Sequence, residues 1–92
     1  MNLENMEKDF GRSLRNARVG MKKSKEEMAE RLGVDPSIVG RWESGTSLPP
    51  LARAKKITQA CGLNEEEFIQ KLQGILVERE KIKSARRSMR KR

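Results

Sequence analysis

Apolar positions in the first fifth of the chain recur at spacings of three and four, at Leu3, Met6, Phe10, Leu14 and Ala17. That period is one face of a helix, so a first helix is predicted over about residues 3–19. Its acidic residues lie early and its arginines late, an order that suits the helix dipole. A basic connector, 20–23, follows. Ser24 and Glu27 have capping-box spacing, Met28, Ala29 and Leu32 share the next face, and Gly33 stands where a helix ends in the left-handed conformation. Asp35 then caps a third helix with Pro36 at its first position and Val39 and Trp42 inward, ending near Ser44 and Gly45. After the turn Thr46, Ser47, Leu48, the Pro49–Pro50 pair opens a fourth helix that runs to about Cys61 and ends at Gly62. Asn64 with Glu65, Glu66 and Glu67 is a capping-box start for a fifth. No strand period and no internal repeat appears, which predicts an all-α chain of about five helices.

The last segment admits two readings at Gly74. A mid-helix Gly costs about 1 kcal/mol relative to Ala, so it either closes the fifth helix or sits within one long helix at a close helix-helix contact. Phe68, Leu72, Ile75, Ile82 and Met89 keep a three-four spacing, interrupted by Arg79 and Arg86, which is a weak, short heptad. Phe68, Ile69 and Leu72 are assigned to the core. Ile75, Leu76, Val77 and Ile82 lie far along the chain from it and are assigned to a dimer or partner surface. The expected division is a domain over 1–73 and a basic, partly apolar helical extension over 74–92.

Ninety-two residues allow one small domain with a modest core. Hydrophobic residues make up 35% and charged residues 37% of the chain, a balance suited to a small helical protein with a wide polar surface. Nothing resembles a membrane span or signal peptide, so a cytoplasmic protein is expected. The single Cys61 excludes an internal disulfide and is read as a small buried residue. The net charge of +8 is uneven: residues 78–92 hold eight Lys or Arg against two Glu, +6, leaving +2 for the rest. Such a run is either a solvated end or a contact for a polyanion.

Residues 25–45 have the layout of a DNA-reading helix-turn-helix. In Arg18, Ser24, Ala29, Leu32-Gly33-Val34, Val39, Trp42-Glu43 and Gly45, the chain resembles the phage-repressor and Cro-like helix-turn-helix family. Phe10, Leu14 and Ala17 before the motif, and Leu48-Pro49, Leu51, Ile57 and Gly62-Leu63 after it, extend the likeness over about residues 10–70. The resemblance implies a compact bundle of about five helices, a helix-turn-helix DNA-binding domain whose third helix enters the major groove.

It also implies roles. The exposed start of the recognition helix reaches base edges, while the preceding helix donates to phosphate. By family position Lys25, Pro36, Ser37 and Arg41 fall where polar contacts occur, but Lys25 and Pro36 each stand where Gln is frequent. Ile38 is left to touch a thymine methyl, and Gly40 adds nothing. Arg41 is therefore the residue of this helix able to grip guanine O6 and N7 bidentately, its bland alternative being a phosphate clamp. Lys22 and Lys23 replace a usual Gly and an apolar residue. If Met21 supplies the apolar contact, Lys22, Lys23 and Lys25 all face the DNA backbone. Thr46 and Ser47 serve either phosphate or the turn itself, and Arg79, Lys81, Lys83, Arg86 and Arg87 are candidate phosphate contacts in the extension. An Arg18–Glu43 ion pair is expected as scaffolding, and Trp42 as core.

With no His, no Gly-rich phosphate cradle and no metal constellation, the chain carries no enzymatic signature. The expected function is sequence-specific binding of double-stranded DNA as a small repressor acting by operator occupancy. An antitoxin or a phage or mobile-element regulator would be a variant of this. The alternative is a protein-protein adaptor or RNA binder that keeps the fold without base readout. The expected partners are double-stranded DNA, a second copy in a homodimer, and a protein at the extension, with no cofactor, membrane or small-molecule effector.

Overall fold

Asn2 begins the first helix of the computed structural model by accepting the Asn5 N–H on its side chain at 3.1 Å. The structure describes residues 2–90, with side chains through 86. Five α-helices follow in order: α1 (Leu3–Gly20), α2 (Lys25–Leu32), α3 (Pro36–Ser44), α4 (Ala54–Cys61) and α5 (Glu65–Arg90). The caps act as the local chemistry requires. Ser24 Oγ accepts the Glu27 N–H at 3.0 Å, and Glu27 returns the bond to the Ser24 N–H at 2.9 Å. Two free donors at the start of α2 are thereby satisfied. Gly33, at φ 69°, turns the chain in a conformation that costs an L side chain about 1–2 kcal/mol.

The expected fourth helix starts later than the prolines. A 3-10 turn, Leu51–Arg53, comes first, and α4 begins at Ala54. Arg53 holds that turn in place, since its Nη1 donates to the Leu32 carbonyl at 2.8 Å and so satisfies an acceptor at the end of α2.

All five helices contribute to one core: Phe10 and Leu14 from α1, Met28, Ala29 and Leu32 from α2, Val39 and Trp42 from α3, Ala54, Ile57, Ala60 and Cys61 from α4, and Phe68, Leu72 and Ile75 from α5. The Phe10 and Phe68 rings meet at 5.1 Å, tilted by 48°, where α5 lies against α1. Cys61 is buried beside Met28, and burial pushes its thiol pKa up.

Gly74 does not end α5. A Cβ there would lie 3.9 Å from Met6 Cε, so the glycine sits at the α1–α5 contact, inside the helix. This overturns the assignment of Ile75 to a partner surface: it is 2% exposed. With α5 unbroken and packed on α1, the turn after Leu72 still faces the core. Leu76, Val77 and Ile82 are exposed, at 39%, 53% and 38%. Beyond them α5 projects, and the molecule measures 52 × 24 × 22 Å. No helix of the described residues is long and apolar enough to cross a membrane.

Candidate nucleic-acid interface

The recognition helix, α3, is held from behind. On α1, Arg18 donates from Nε to Glu43 Oε2 at 2.6 Å and from Nη2 to Glu43 Oε1 at 3.0 Å, while its Nη1 reaches the Lys23 carbonyl at 2.8 Å. Both side chains of the pair are at least 90% buried. The hydrogen bonding to Glu43 outweighs the cost of desolvation and raises the Arg18 pKa, so the guanidinium stays charged. Two buried charges with matched hydrogen bonds lock α3 to α1, because losing either would strand the other.

A second lock has no signature in helical periodicity. Gly11 is buried on α1, and a Cβ there would fall 2.4 Å from the Glu43 carbonyl oxygen and 2.7 Å from that of Trp42. Only hydrogen at this position lets the two backbones touch. The unexplained glycine in the middle of an amphipathic helix is the signal that would have found it.

The outer face of α3 carries the candidates for base contact. Arg41 and Ser37 are exposed, and Pro36 and Gly40 are half-buried. Ile38 is half-buried and packs against the core, so part of the side chain expected to meet a thymine methyl is spent inward. The Ser37 hydroxyl and backbone N–H hold the Asp35 carboxyl below the usual carboxylate range, which ties both groups to the cap of α3.

Lys25 and Gly40 come together. The Lys25 ammonium lies 3.9 Å from where a Cβ on Gly40 would stand, so the first turn of α2 brings a cation onto the recognition helix. The two connector lysines part company. Lys22 is exposed, in the left-handed conformation at φ 57°. Lys23 is half-buried, and its Nζ donates to the Ala60 carbonyl at 3.4 Å. The expectation that Lys23 faces the DNA backbone is corrected by this contact, in which a cation stabilises the negative end of α4. Met21 does not take over the apolar role: it is 42% exposed and lies outside the core, with its Sδ 3.5 Å from where a Cβ on Gly62 would stand.

The turn after α3 is largely self-satisfied. The Thr46 and Ser47 N–H groups both donate to the Arg41 carbonyl, at 3.0 and 3.3 Å, and the Thr46 hydroxyl pairs with that of Ser44 at 2.8 Å. Of the two roles open for Thr46 and Ser47, capping the turn is the one these bonds serve.

In the extension, Arg79 is spent on Glu7 of α1, donating from Nε at 2.7 Å and also from Nη2. It is therefore corrected from a free phosphate contact to one arm of an inter-helix ion pair, brought within reach because α5 runs on past Gly74. Lys81 makes an exposed pair with Glu78, and Lys83 and Arg86 are exposed. The side chains of Arg87 and Met89 lie outside the described residues.

Together these elements form a helix presented on a rigid support, with a guanidinium on its outer face, an ammonium beside it and compensated charges behind. A protein-family model described as Helix-turn-helix matches residues 14–68, from the middle of α1 into the first turn of α5. No curated protein matches the chain.

Proposed function

The chain belongs to the Cro/C1-type helix-turn-helix family of DNA-binding transcription regulators, and from that premise we propose that it is a repressor that acts by occupying its operator. The observation that carries the reading is Arg41. It stands exposed on a helix whose opposite side is fastened to α1 by the Arg18–Glu43 pair. A bidentate guanidinium on guanine discriminates only when the helix bearing it is held in register. Lys25, beside Gly40, supplies a phosphate contact from the preceding helix, and exposed Lys22 extends that contact along the backbone.

A dimer on an inverted repeat fits this reading, because one domain has a small footprint and Leu76, Val77 and Ile82 are exposed on α5. Half-site centres then lie about 34 Å apart, one turn of DNA. Lys81, Lys83 and Arg86 add sequence-independent phosphate contacts.

The test is retardation of a labelled duplex drawn from the region upstream of the protein's own gene. A shifted band that survives excess unrelated duplex supports the proposal. Equal competition by any duplex removes base readout from it.

A further inference from the structure

We infer that Glu7 is a positioning residue that sets the direction of the C-terminal half of α5 relative to the recognition helix, with Arg79 as its partner. The cause is geometric, and the consequence for DNA rests on the function proposed above.

Glu7 touches both elements. Its side chain accepts two hydrogen bonds from Arg79, 72 residues away in sequence, and the side chains are only 18% and 35% exposed. Its backbone carbonyl lies 3.0 Å from where Gly45 would carry a Cβ. Gly45, at φ 81°, ends α3 in a conformation that lets the end of the recognition helix sit directly on α1 at this residue.

Among the residues of α5 whose side chains are described, Arg79 is the last partly buried one, since residues 80–86 are all exposed. A helix that leaves its globule takes its direction from its last fixed points. Two donors of one planar guanidinium converge on a single oxygen, Glu7 Oε2, and constrain that direction more tightly than one point charge would. Arg86 stands seven residues further on, about 10 Å along the axis. A small change of angle at Arg79 therefore moves the exposed cations relative to Arg41. Spent in this way, Arg79 contributes to DNA binding through placement and not through contact.

The full chain can be tested without DNA. Trp42 is the single tryptophan and belongs to α3, so energy transfer from it to an acceptor on Ser84→Cys reads the placement of α5 against the recognition helix. Cys61 is buried and competes little for the label. Glu7→Gln and Arg79→Gln are expected to change the transfer efficiency alike, and the double variant no further than either. Arg79→Lys, which keeps the charge and loses the fork, should give an intermediate change and guards against a variant that fails to fold.

On the operator, each single variant should lose at least about twofold in affinity, with the double losing the same factor and not the product. The salt dependence should keep its slope. Unchanged transfer in both single variants overturns the inference. So does a pattern in which Arg79→Gln lowers the log–log salt slope by about 0.9 while Glu7→Gln, by freeing Arg79, tightens binding. If the unaltered chain binds no duplex, the proposed function falls, and the energy transfer still decides the positioning role.

Discussion

At the scale of single residues, Arg41 and Lys25 differ in what they can specify. A guanidinium presents a planar fork that matches one base, and an ammonium is a point charge that matches any phosphate. Arg41→Ala is expected to cost about 1–3 kcal/mol on the operator and to relax the preference for one guanine per half-site, with a much smaller loss on random duplex. Lys25→Ala should weaken specific and random binding alike. Titration against both duplexes separates the two, and equal losses for Arg41→Ala would make it a phosphate clamp.

The capping carboxylates give a second residue-scale prediction. Hydrogen bonds from Ser24 to Glu27 and from Ser37 to Asp35 depress both acids below their ordinary values of 4.5 and 3.8. Their contribution to stability is present above those values and lost as pH falls through the depressed native ones. Thermal unfolding followed by circular dichroism should therefore lose midpoint below about pH 4.5. The variant carrying Glu27→Gln and Asp35→Asn should lose less over the same range.

At the scale of elements, the recognition helix depends on the closeness of α1. An Ala at a helical Gly gains about 1 kcal/mol of helix propensity, but at Gly11 the added carbon meets two backbone carbonyls that have no rotamer to escape into. Overpacking of this kind costs about 1–3 kcal/mol and forces backbone to move, so the contact outweighs the propensity. Gly11→Ala should lower the unfolding midpoint by about 4–8 °C for each net kcal/mol lost, and should weaken DNA binding beyond what stability explains, because α3 is displaced. Gly20→Ala is the control. Nothing lies within 4 Å of a Cβ there, and the midpoint should hold or rise.

At the scale of the whole molecule, α5 serves two purposes along its length. Ile75 belongs to the core, and Ile75→Ala should cost about 2–5 kcal/mol of folding stability. Leu76 is its neighbour in sequence and faces outward, so Leu76→Asp should change stability by about 0.5 kcal/mol or less while weakening self-association measured by sedimentation. Equal loss of fold in both variants would remove Leu76 from the partner surface. Further along, residues 84–92 hold five Lys or Arg. Their deletion should lower affinity for all duplexes by similar factors and flatten the salt slope by about 0.9 per lost contact. An unchanged slope would assign the segment to a protein partner.

What the sequence by itself determined is what acts over one or two turns of chain. The cap at Ser24, the prolyl start of α3 and the left-handed exit at Gly33 each depend on atoms within about four residues, and the apolar periods follow from helix geometry. The expected pair between Arg18 and Glu43 came from family resemblance, not from local chemistry. The tertiary structure decided the rest. Whether Ile75 is core or surface depends on how far α1 accompanies α5, and whether Arg79 meets phosphate or carboxylate depends on Glu7 standing opposite. Whether Lys23 faces outward depends on the end of α4, and whether Gly11 matters depends on the backbone of a helix 31 residues later. Each is a contact between segments that local propensity does not relate, and only their packing around one core brings them together.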